Sequence, residues 1–276
     1  IRKSTRGYSI LRMRDLFKKI FREEMTDDDI SIDVSESDGV RSLHFASHAI
    51  QSSMRLKKPF HLELTYTRAM MMFLLFHAHP RKILLIGLGG ASIPKFIHKF
   101  LPDMKSITVE IHRKVISVAH QMFHLPPNDK SLKVIHGDGI SYMKEHTQST
   151  DVLMIDAFDP DGIPRNFRSL SFFDICKATL RQNGIFVMNI WASDPHYDLY
   201  IDRMRRVFEG LILVIPTGKP GNQIVLGFND VPYELDVKTL RTKAKSLEKT
   251  YGLEFLAFFN QLILHNHQRS NTLQFD

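Results

Sequence analysis

The chain has 276 residues, 43% of them hydrophobic, which suits one large domain or one domain with a small extension. Its single cysteine, Cys176, excludes a disulfide framework and a cysteine metal site. A formal net charge of +7 indicates an acidic partner, yet no segment alternates basic and aromatic residues as a groove for single-stranded nucleic acid would. Nucleic-acid binding is therefore not expected as the main function.

Three further features describe the broad class of protein. The 14 histidines include no His-Glu-x-x-His motif, and we predict no metal site. No apolar run approaches the roughly 20 residues that a membrane span requires. No signal peptide is recognisable, and we expect a cytoplasmic enzyme.

The first part of the chain divides into two predicted segments. Residues 1–27 contain apolar residues at helical spacing over 8–24 with a basic opposite face, which predicts a helix that packs on its own protein or binds a partner or membrane surface. Residues 28–78 begin with short alternating strands from Ile30 to Met54, which predict a small antiparallel β unit. A linking helix is predicted from about Leu62 to His77.

Residues 79–230 alternate strands and helices. Strands are predicted at Lys82–Gly87, Ser106–Ile111, Leu132–His136, Asp151–Asp156 and Ile185–Ile190, and helices at Ser92–Phe100, Lys114–Phe123, Ile140–His146, Ser171–Leu180 and Tyr197–Phe208. Asn183-Gly184 is typical of a helix C-cap. The last two strands, Leu211–Ile215 and Gln223–Phe228, are separated by too few residues for a crossover helix, so they must be antiparallel.

This order of elements predicts an α/β fold of the methyltransferase type. Its doubly wound sheet is mostly parallel and ends in an antiparallel hairpin, and it carries the small N-terminal β unit and extra terminal helices. Residues 231–276 contain an amphipathic helical pattern over 236–266, which predicts a C-terminal helical extension.

Four successive predicted strands end in groups suited to an adenosine-type ligand. Gly87, Gly89 and Gly90 follow the first strand and would let the backbone approach a ligand. Glu110 ends the second strand, about 20 residues later, where an acid can accept both ribose hydroxyls. Asp138 follows the third strand and could accept from an adenine amino group, with Gly139 giving room.

Asp156 ends the fourth strand, and Asp159 follows in a loop that contains Pro160, Gly162 and Pro164. Each acid also has a purely structural interpretation, because Glu110 could be a surface acid, Asp138 a helix cap and the Asp156 segment a turn that caps the next helix. The occurrence of suitable groups after four strands in a row favours a ligand site.

The chain resembles the polyamine aminopropyltransferases, the spermidine synthase-like proteins, over roughly residues 30–228. The shared motifs are Gln51 with Leu62-Glu-Leu-Thr-Tyr66, Gly87-Leu-Gly-Gly90, Val109-Glu-Ile111, Gly137-Asp-Gly139, Asp156-Ala-Phe-Asp-Pro160 with Gly162 and Pro164, and Ile215-Pro-Thr217 with Gly221-Asn-Gln-Ile224. The resemblance implies transfer of an aminopropyl group from decarboxylated S-adenosylmethionine to an amine such as putrescine. It implies a sulfonium co-substrate instead of a tightly bound cofactor, and a homodimer.

The resemblance also implies roles for individual residues. Asp156 would orient and deprotonate the attacking amine, Asp159 would attract the ammonium of a polyamine, and Tyr66 would line the substrate channel. Glu110 would hold the ribose hydroxyls, Asp138 the adenine amine, and Gln51 would lie near the nucleoside.

The chain departs from this family in the half of the site that would hold the aminopropyl chain and the amine. Gly90, Ala91 and Ser92 stand where the family has an Asp in the glycine turn, and His112 replaces the last acid of Glu-Ile-Asp. Lys219 stands in a loop where the family has an aromatic residue, and pointing inward it would repel a dicationic amine. Two alternatives therefore stay open: a methyltransferase that uses S-adenosylmethionine, and a non-catalytic nucleoside-binding homologue.

Overall fold

The computed structural model describes residues 30–45, 50–77, 79–158, 162–218 and 221–275. The helix predicted over 8–24 lies outside these ranges, as do the side chains of Asp159 and Lys219. The contacts reported below lie within residues 32–276, which form one unit.

Three antiparallel strands form a small sheet near the start of the described chain, which confirms the predicted β unit. They are β1 (Ile32–Ser37), β2 (Val40–Phe45) and β3 (Ile50–Arg55), in the order β1-β2-β3. Asp38 and Gly39 both have positive φ, 52° and 73°, in the turn between β1 and β2. Residues of this type tolerate that conformation, which suits the twist of a tight hairpin.

The linking helix is shorter than predicted and changes type. It runs as α1 (Thr65–Ala69) and continues as a 3₁₀ helix (Met70–Leu75), so the prediction of one helix from Leu62 to His77 is wrong. All six residues of the 3₁₀ segment are buried. A segment that is apolar all round has no solvent face, and its packing against the surrounding core, instead of helical periodicity, sets its geometry.

A seven-stranded main sheet follows, with the order β6-β5-β4-β7-β8-β10-β9. Its strands are β4 (Lys82–Ile86), β5 (Lys105–Glu110), β6 (Leu132–His136), β7 (Thr150–Ile155), β8 (Leu180–Trp191), β9 (Ile212–Pro216) and β10 (Asn222–Phe228). The first five are parallel, and β10 pairs antiparallel with both β8 and β9. The predicted fold class is confirmed.

Helices connect the parallel strands, and both faces of the main sheet are buried. The helices are α2 (Ser92–Phe100), α3 (Arg113–Met122), α4 (Gly139–Glu145), α5 (Leu170–Thr179) and α6 (Tyr197–Val207). Neighbouring residues of β4, Leu84 and Leu85, belong to separate hydrophobic clusters on the two faces. Because both faces are buried, these strands appear in the sequence as continuous apolar runs.

Asn183-Gly184 does not end a helix, so the predicted C-cap is wrong. Helix α5 ends at Thr179 and strand β8 begins directly at Leu180. Asn183 has a φ of 59° and lies where the register between β7 and β8 shifts, between the pairs Thr150–Leu180 and Val152–Ile185. The left-handed Asn and its Gly neighbour accommodate a strand irregularity, a use that a sequence cannot distinguish from a helix cap.

The C-terminal residues form two helices, α7 (Val237–Tyr251) and α8 (Phe255–His265), and a short hairpin of β11 (Gln268–Arg269) and β12 (Thr272–Leu273). Helix α8 packs on β9, the outermost strand of the main sheet. Asn266 bonds both backbone groups of Val214 in that strand, at 2.9 and 2.8 Å. The extension thus covers a sheet edge that would otherwise present unpaired backbone groups. Among the described helices, none has the length and apolar composition needed to cross a membrane.

Candidate active site

The carboxyl ends of four parallel strands bring the predicted site residues to one edge of the main sheet. The backbone N–H of Gly87 donates to Val109 O at 2.9 Å, and that of Asp156 donates to Ile86 O at 3.0 Å. The N–H of Gly137 donates to Glu110 O at 2.9 Å. These bonds align the glycine turn, Glu110, the loop before Asp138 and Asp156 side by side at the carboxyl ends of the strands, where open α/β sheets bind ligands.

The glycine turn is shaped by close contact with its own protein. Gly87 has a φ of 96°, and a Cβ there would lie 2.3 Å from Asp156 O. A Cβ on Gly90 would lie 2.8 Å from both Phe123 Cδ1 and Ser52 Oγ, whereas one on Gly89 would lie 3.5 Å from Ser52 Cβ. The turn therefore fits between the Asp156 backbone and the small sheet, and at Gly87 only glycine fits.

Glu110 is 6% exposed, so it is not a surface acid. Its Oε2 accepts a hydrogen bond from Leu88 N and its Oε1 from His112 N, both at 2.9 Å. Burial raises the pKa of this carboxyl, while the backbone donors His112 and Leu88 oppose the rise. A carboxylate has about four acceptor positions, so these backbone bonds leave capacity for a donor from a ligand.

Asp138 is the N-cap of α4, and its Oδ1 accepts from Ser141 N at 2.7 Å. Asp138 therefore caps α4, as its structural interpretation predicted, and this role does not depend on a ligand. A Cβ on Gly139 would lie 2.5 Å from Ile86 Cγ2. The structural reason for glycine at 139 is the close approach of α4 to β4, a contact that the sequence did not indicate.

Asp156 lies at the centre of a hydrogen-bond network. Tyr66 Oη donates to its Oδ2 at 3.2 Å, and Asn189 Nδ2 donates to its Oδ1 at 2.9 Å. Asn222 Nδ2 in turn donates to Asn189 Oδ1 at 2.7 Å. Burial raises the pKa of Asp156 to about 6, and the bonds from Asn189 and Tyr66 oppose that rise. The network holds an acid that is ionised above pH 6 and fixed in orientation on both oxygens.

Tyr66 connects this acid to the small sheet. Its Oη lies 3.3 Å from the backbone carbonyl oxygen of Gln51 in β3, as well as 3.2 Å from Asp156. Burial and the neighbouring Asp156 charge raise the pKa of Tyr66 well above its usual value, so the phenol stays protonated and donates. Tyr66, Gln51 and Asp156 therefore meet in one place, with Gln51 contributing its backbone to this contact.

Four residues near the site were not among the predicted site residues. Asn189 and Asn222 complete the Asp156 network, and the ring of Trp191 stacks on that of Phe158 with centroids 5.0 Å apart. Asn189 and Trp191 are two positions apart on β8 and so face the same side of the sheet. A polar Asn in the otherwise apolar run of β8 was the available sequence signal.

Lys95 is a further residue that the sequence did not single out. It is fully buried in α2, and its ammonium donates to Phe123 O and lies 3.2 Å from Met54 Sδ. Burial lowers the pKa of Lys95 to about 7. Lys95 joins α2 to strand β3 of the small sheet and to the end of α3.

Comparisons with known proteins identify the family of this chain. The family model for the spermine/spermidine synthase domain matches residues 63–211. The polyamine aminopropyltransferase of Chromobacterium violaceum is 40% identical over 242 residues, which cover 88% of this chain and 93% of that protein. The chain belongs to the spermine/spermidine synthase family. It is accordingly a transferase of the aminopropyl-transferring type, and the methyltransferase and non-catalytic alternatives are not favoured.

Solved structures with the same fold include two that contain adenosyl compounds. A spermidine synthase in complex with the transition-state analogue AdoDATO has a TM-score of 0.62 and 21% identity, covering 84% of this chain and 85% of that one. Human methyltransferase-like protein 13 in complex with SAH has a TM-score of 0.62 and 27% identity, covering 68% of this chain and 93% of that one. The present chain shares its fold with both.

Proposed function

We propose that this family member moves the aminopropyl group of decarboxylated S-adenosylmethionine to a primary amine such as putrescine, with Asp156 as the catalytic base. The observation that carries the proposal is the fixed carboxylate of Asp156, bonded on its two oxygens by Tyr66 and Asn189. It lies at the sheet edge that also carries Glu110 and the glycine turn.

The proposed reaction is a single in-line displacement. The amine nitrogen attacks the carbon next to the sulfonium, the new C–N bond forms as the C–S bond breaks, and the electron pair leaves with sulfur as a neutral thioether. The attacking amine must be uncharged, so a carboxylate that accepts its proton assists the reaction. The thioether needs no acid, and most of the remaining rate enhancement comes from positioning the two substrates.

The donor nucleoside is proposed to bind across the carboxyl ends of β4, β5 and β6. The free acceptor positions of Glu110 suit the two ribose hydroxyls, and Asp138 suits the adenine amino group. Gly87, Gly89, Gly90 and Gly139 would border the same ligand, and the side chain of Gln51 would reach it from the small sheet. Supporting this proposal, Glu110 is already held rigidly by two backbone donors.

The amine is proposed to bind between Asp156 and the stacked rings of Phe158 and Trp191. Aromatic faces attract ammonium groups and also pack on methylene chains. These rings are a source of binding energy in a chain that lacks the turn acid at Gly90 and the family's aromatic residue near Lys219. Asp159 is proposed to pair with the second ammonium of the acceptor.

A product assay tests the proposed reaction. The protein is incubated with decarboxylated or ordinary S-adenosylmethionine and a panel of mono- and diamines, and the products are identified by mass spectrometry. We expect an aminopropylated diamine and methylthioadenosine from the decarboxylated donor alone. Methylated product from ordinary S-adenosylmethionine would contradict the proposal.

Calorimetry with methylthioadenosine tests the donor site separately from transfer. Binding without any transfer would retain the nucleoside assignment and reject the reaction. Absence of binding at millimolar concentration would reject the roles of Glu110 and Asp138.

Four broader predictions accompany this function. We propose that residues 28–78, 79–230 and 231–276 act respectively as β domain with linker, nucleoside-binding domain and helical extension, preceded by a basic helix in 1–27. Assembly as a homodimer and a cytoplasmic location remain predictions, as does the absence of a nucleic-acid partner. Sedimentation of the purified protein measures whether it is a homodimer.

A further inference from the structure

A cavity of about 700 Å³ opens beside the amino-terminal ends of the main-sheet strands, at the edge opposite the candidate active site. Lys82 is the first residue of β4, Lys105 the first of β5, and Arg181 the second of β8, and all three line it. Because β4 rises about 3.3 Å per residue, Lys82 and Gly87 are separated by roughly 16 Å. The cavity is therefore a different place from the proposed donor site.

The cavity carries an excess of positive charge. One acid, Asp103, lines it together with four cationic side chains, which are Arg81, Lys82, Lys105 and Arg181. The nearby carboxylate of Asp151 is already bonded to the backbone N–H groups of Arg81 and Lys82, at 2.8 and 2.9 Å, and to Arg181 Nη1 at 3.0 Å. Burial, followed by the charge of Arg181, lowers the pKa of Lys82. A bound anion would relieve this concentration of like charge.

One wall of the cavity is apolar. Phe100 and Tyr251, both partly buried, line it together with Leu101 and Met104. The volume lies within the range of roughly 300–1,000 Å³ that small-molecule sites occupy. A cavity of this size lined by both cations and aromatic rings fits a compact ligand better than an extended polymer, which would need a continuous basic surface.

We propose that this cavity binds a small phosphorylated ligand that carries at least two negative charges and an aromatic body, of the nucleoside diphosphate class. Lys82 and Arg181 would hold the phosphates at the strand ends, and the exposed side chains of Arg81 and Lys105 would close on them. Phe100 and Tyr251 would face the aromatic part. The site is independent of aminopropyl transfer and of the residues proposed for it.

Calorimetry with guanosine diphosphate and inorganic pyrophosphate tests this site at near-physiological salt, where weak surface attraction is screened. Guanosine diphosphate is chosen because the donor site is proposed for adenine. We expect one molecule bound per chain, with guanosine diphosphate several-fold tighter than pyrophosphate. The double substitution Arg81→Ala with Lys105→Ala should weaken binding at least tenfold and leave transfer in the absence of nucleotide unchanged.

The matched control is Lys144→Ala with Lys238→Ala, which removes two charges from exposed positions that do not line the cavity. It should bind guanosine diphosphate as the original protein does. The proposal would be overturned if no nucleotide bound at millimolar concentration, or if both double variants bound guanosine diphosphate equally weakly. It would also be overturned if methylthioadenosine displaced the nucleotide, or if an oligonucleotide bound more tightly than guanosine diphosphate. If pyrophosphate bound as tightly as guanosine diphosphate, the proposed contact of Phe100 and Tyr251 with the aromatic part of the ligand would be overturned. If the original protein and all variants lacked transferase activity, the proposed function would be rejected but this site would not.

Discussion

At the scale of single residues, Asp156 combines a fixed orientation with a pKa suited to a base near neutral pH. Its pKa of about 6 lies above the ordinary value of 3.8 because of burial. A folded-state pKa raised in this way stabilises the fold at low pH, and that contribution is lost as the pH rises from 3.8 through about 6. The ionised base therefore reduces stability at the pH where it would act.

Replacing this carboxylate should separate activity from stability. We expect Asp156→Asn to lower the transfer rate by about 10²–10⁴-fold, the usual contribution of a positioned base. The amide oxygen can still accept from Asn189, and its NH₂ can donate to Tyr66 Oη, which then donates to Gln51 O. The melting temperature at pH 8 should therefore stay equal or rise, and methylthioadenosine affinity should change little.

The control for this substitution is Asp174→Asn, because Asp174 is an exposed acid on α5. It should leave both rate and melting temperature unchanged. An Asp156→Asn protein with full transfer activity would remove Asp156 from the mechanism.

Tyr66 should tune the basicity of Asp156. The Tyr66 hydrogen bond lowers the pKa of Asp156, so Tyr66→Phe should raise that pKa and move the acidic limb of the kcat/KM profile to higher pH. The rate at neutral pH should fall by about 10- to 150-fold, since a hydrogen bond to a charged group is worth roughly 1.5–3 kcal/mol. Measuring kcat/KM from pH 5 to 9 checks this. A lower rate with an unmoved acidic limb would mean that Tyr66 positions substrate without acting on Asp156.

At the scale of elements, Lys95 connects the small sheet with the helices of the main sheet through buried polar contacts. Its pKa falls from 10.5 to about 7 on folding. The unfolded chain then binds more protons between pH 7 and 10.5, so this residue makes stability increase with pH in that window, by at most about 1.4 kcal/mol per pH unit.

Lys95→Met removes this titration and retains a side chain that fits an apolar space. We expect greater stability at pH 7 and a flatter dependence of the unfolding free energy on pH up to 10.5. Urea unfolding at pH 7 and 9.5 measures both. Lys99→Met, at an exposed position one turn further along α2, is the control. Unchanged pH dependence in Lys95→Met would show that the buried ammonium is not the cause.

The predicted elements that were correct share one physical origin. Buried strands such as β4 and β7 appear as short apolar runs, and the bounds predicted for α2 and β6 are those of the structure. The 3₁₀ segment was missed because burial on all sides removes the periodicity from which helix type is read. Asn183-Gly184 was assigned to a helix end because a left-handed residue serves caps and strand irregularities equally.

At the scale of the whole molecule, the C-terminal extension shares a core with the main sheet. Phe255, Phe259 and Leu262 of α8 lie in the same buried cluster as Leu213 and Ile215 of β9. The extension is therefore part of the cooperative structure that supports β9 and, through β10, the Asn222–Asn189–Asp156 network.

Two leucines on α8 provide a matched test of this shared core. Leu262 is fully buried and Leu264 is 75% exposed. Leu262→Ala should cost about 2–5 kcal/mol of unfolding free energy, as buried truncations do, and Leu264→Ala less than about 0.5 kcal/mol. Urea unfolding should show one transition in both variants. A separate early transition in Leu262→Ala would show that the extension unfolds independently.

The sequence by itself determined the α/β class, the sheet with its terminal hairpin, and the order in which Gly87, Glu110, Asp138 and Asp156 follow successive strands. These features are local, because the periodicity of a strand and the residue that follows it depend on positions close together in the chain. The comparisons confirmed the family that those motifs indicated.

Only the tertiary structure decided what surrounds each acid. Tyr66 and Asp156 are 90 positions apart, and Asn189 and Asn222, which extend the hydrogen-bond network of Asp156, lie on two other strands. The raised pKa of Asp156, the buried Lys95 and the basic cavity at the opposite sheet edge all result from burial and charge brought together by folding. Such contacts join distant positions, and one sequence carries no local pattern that records them.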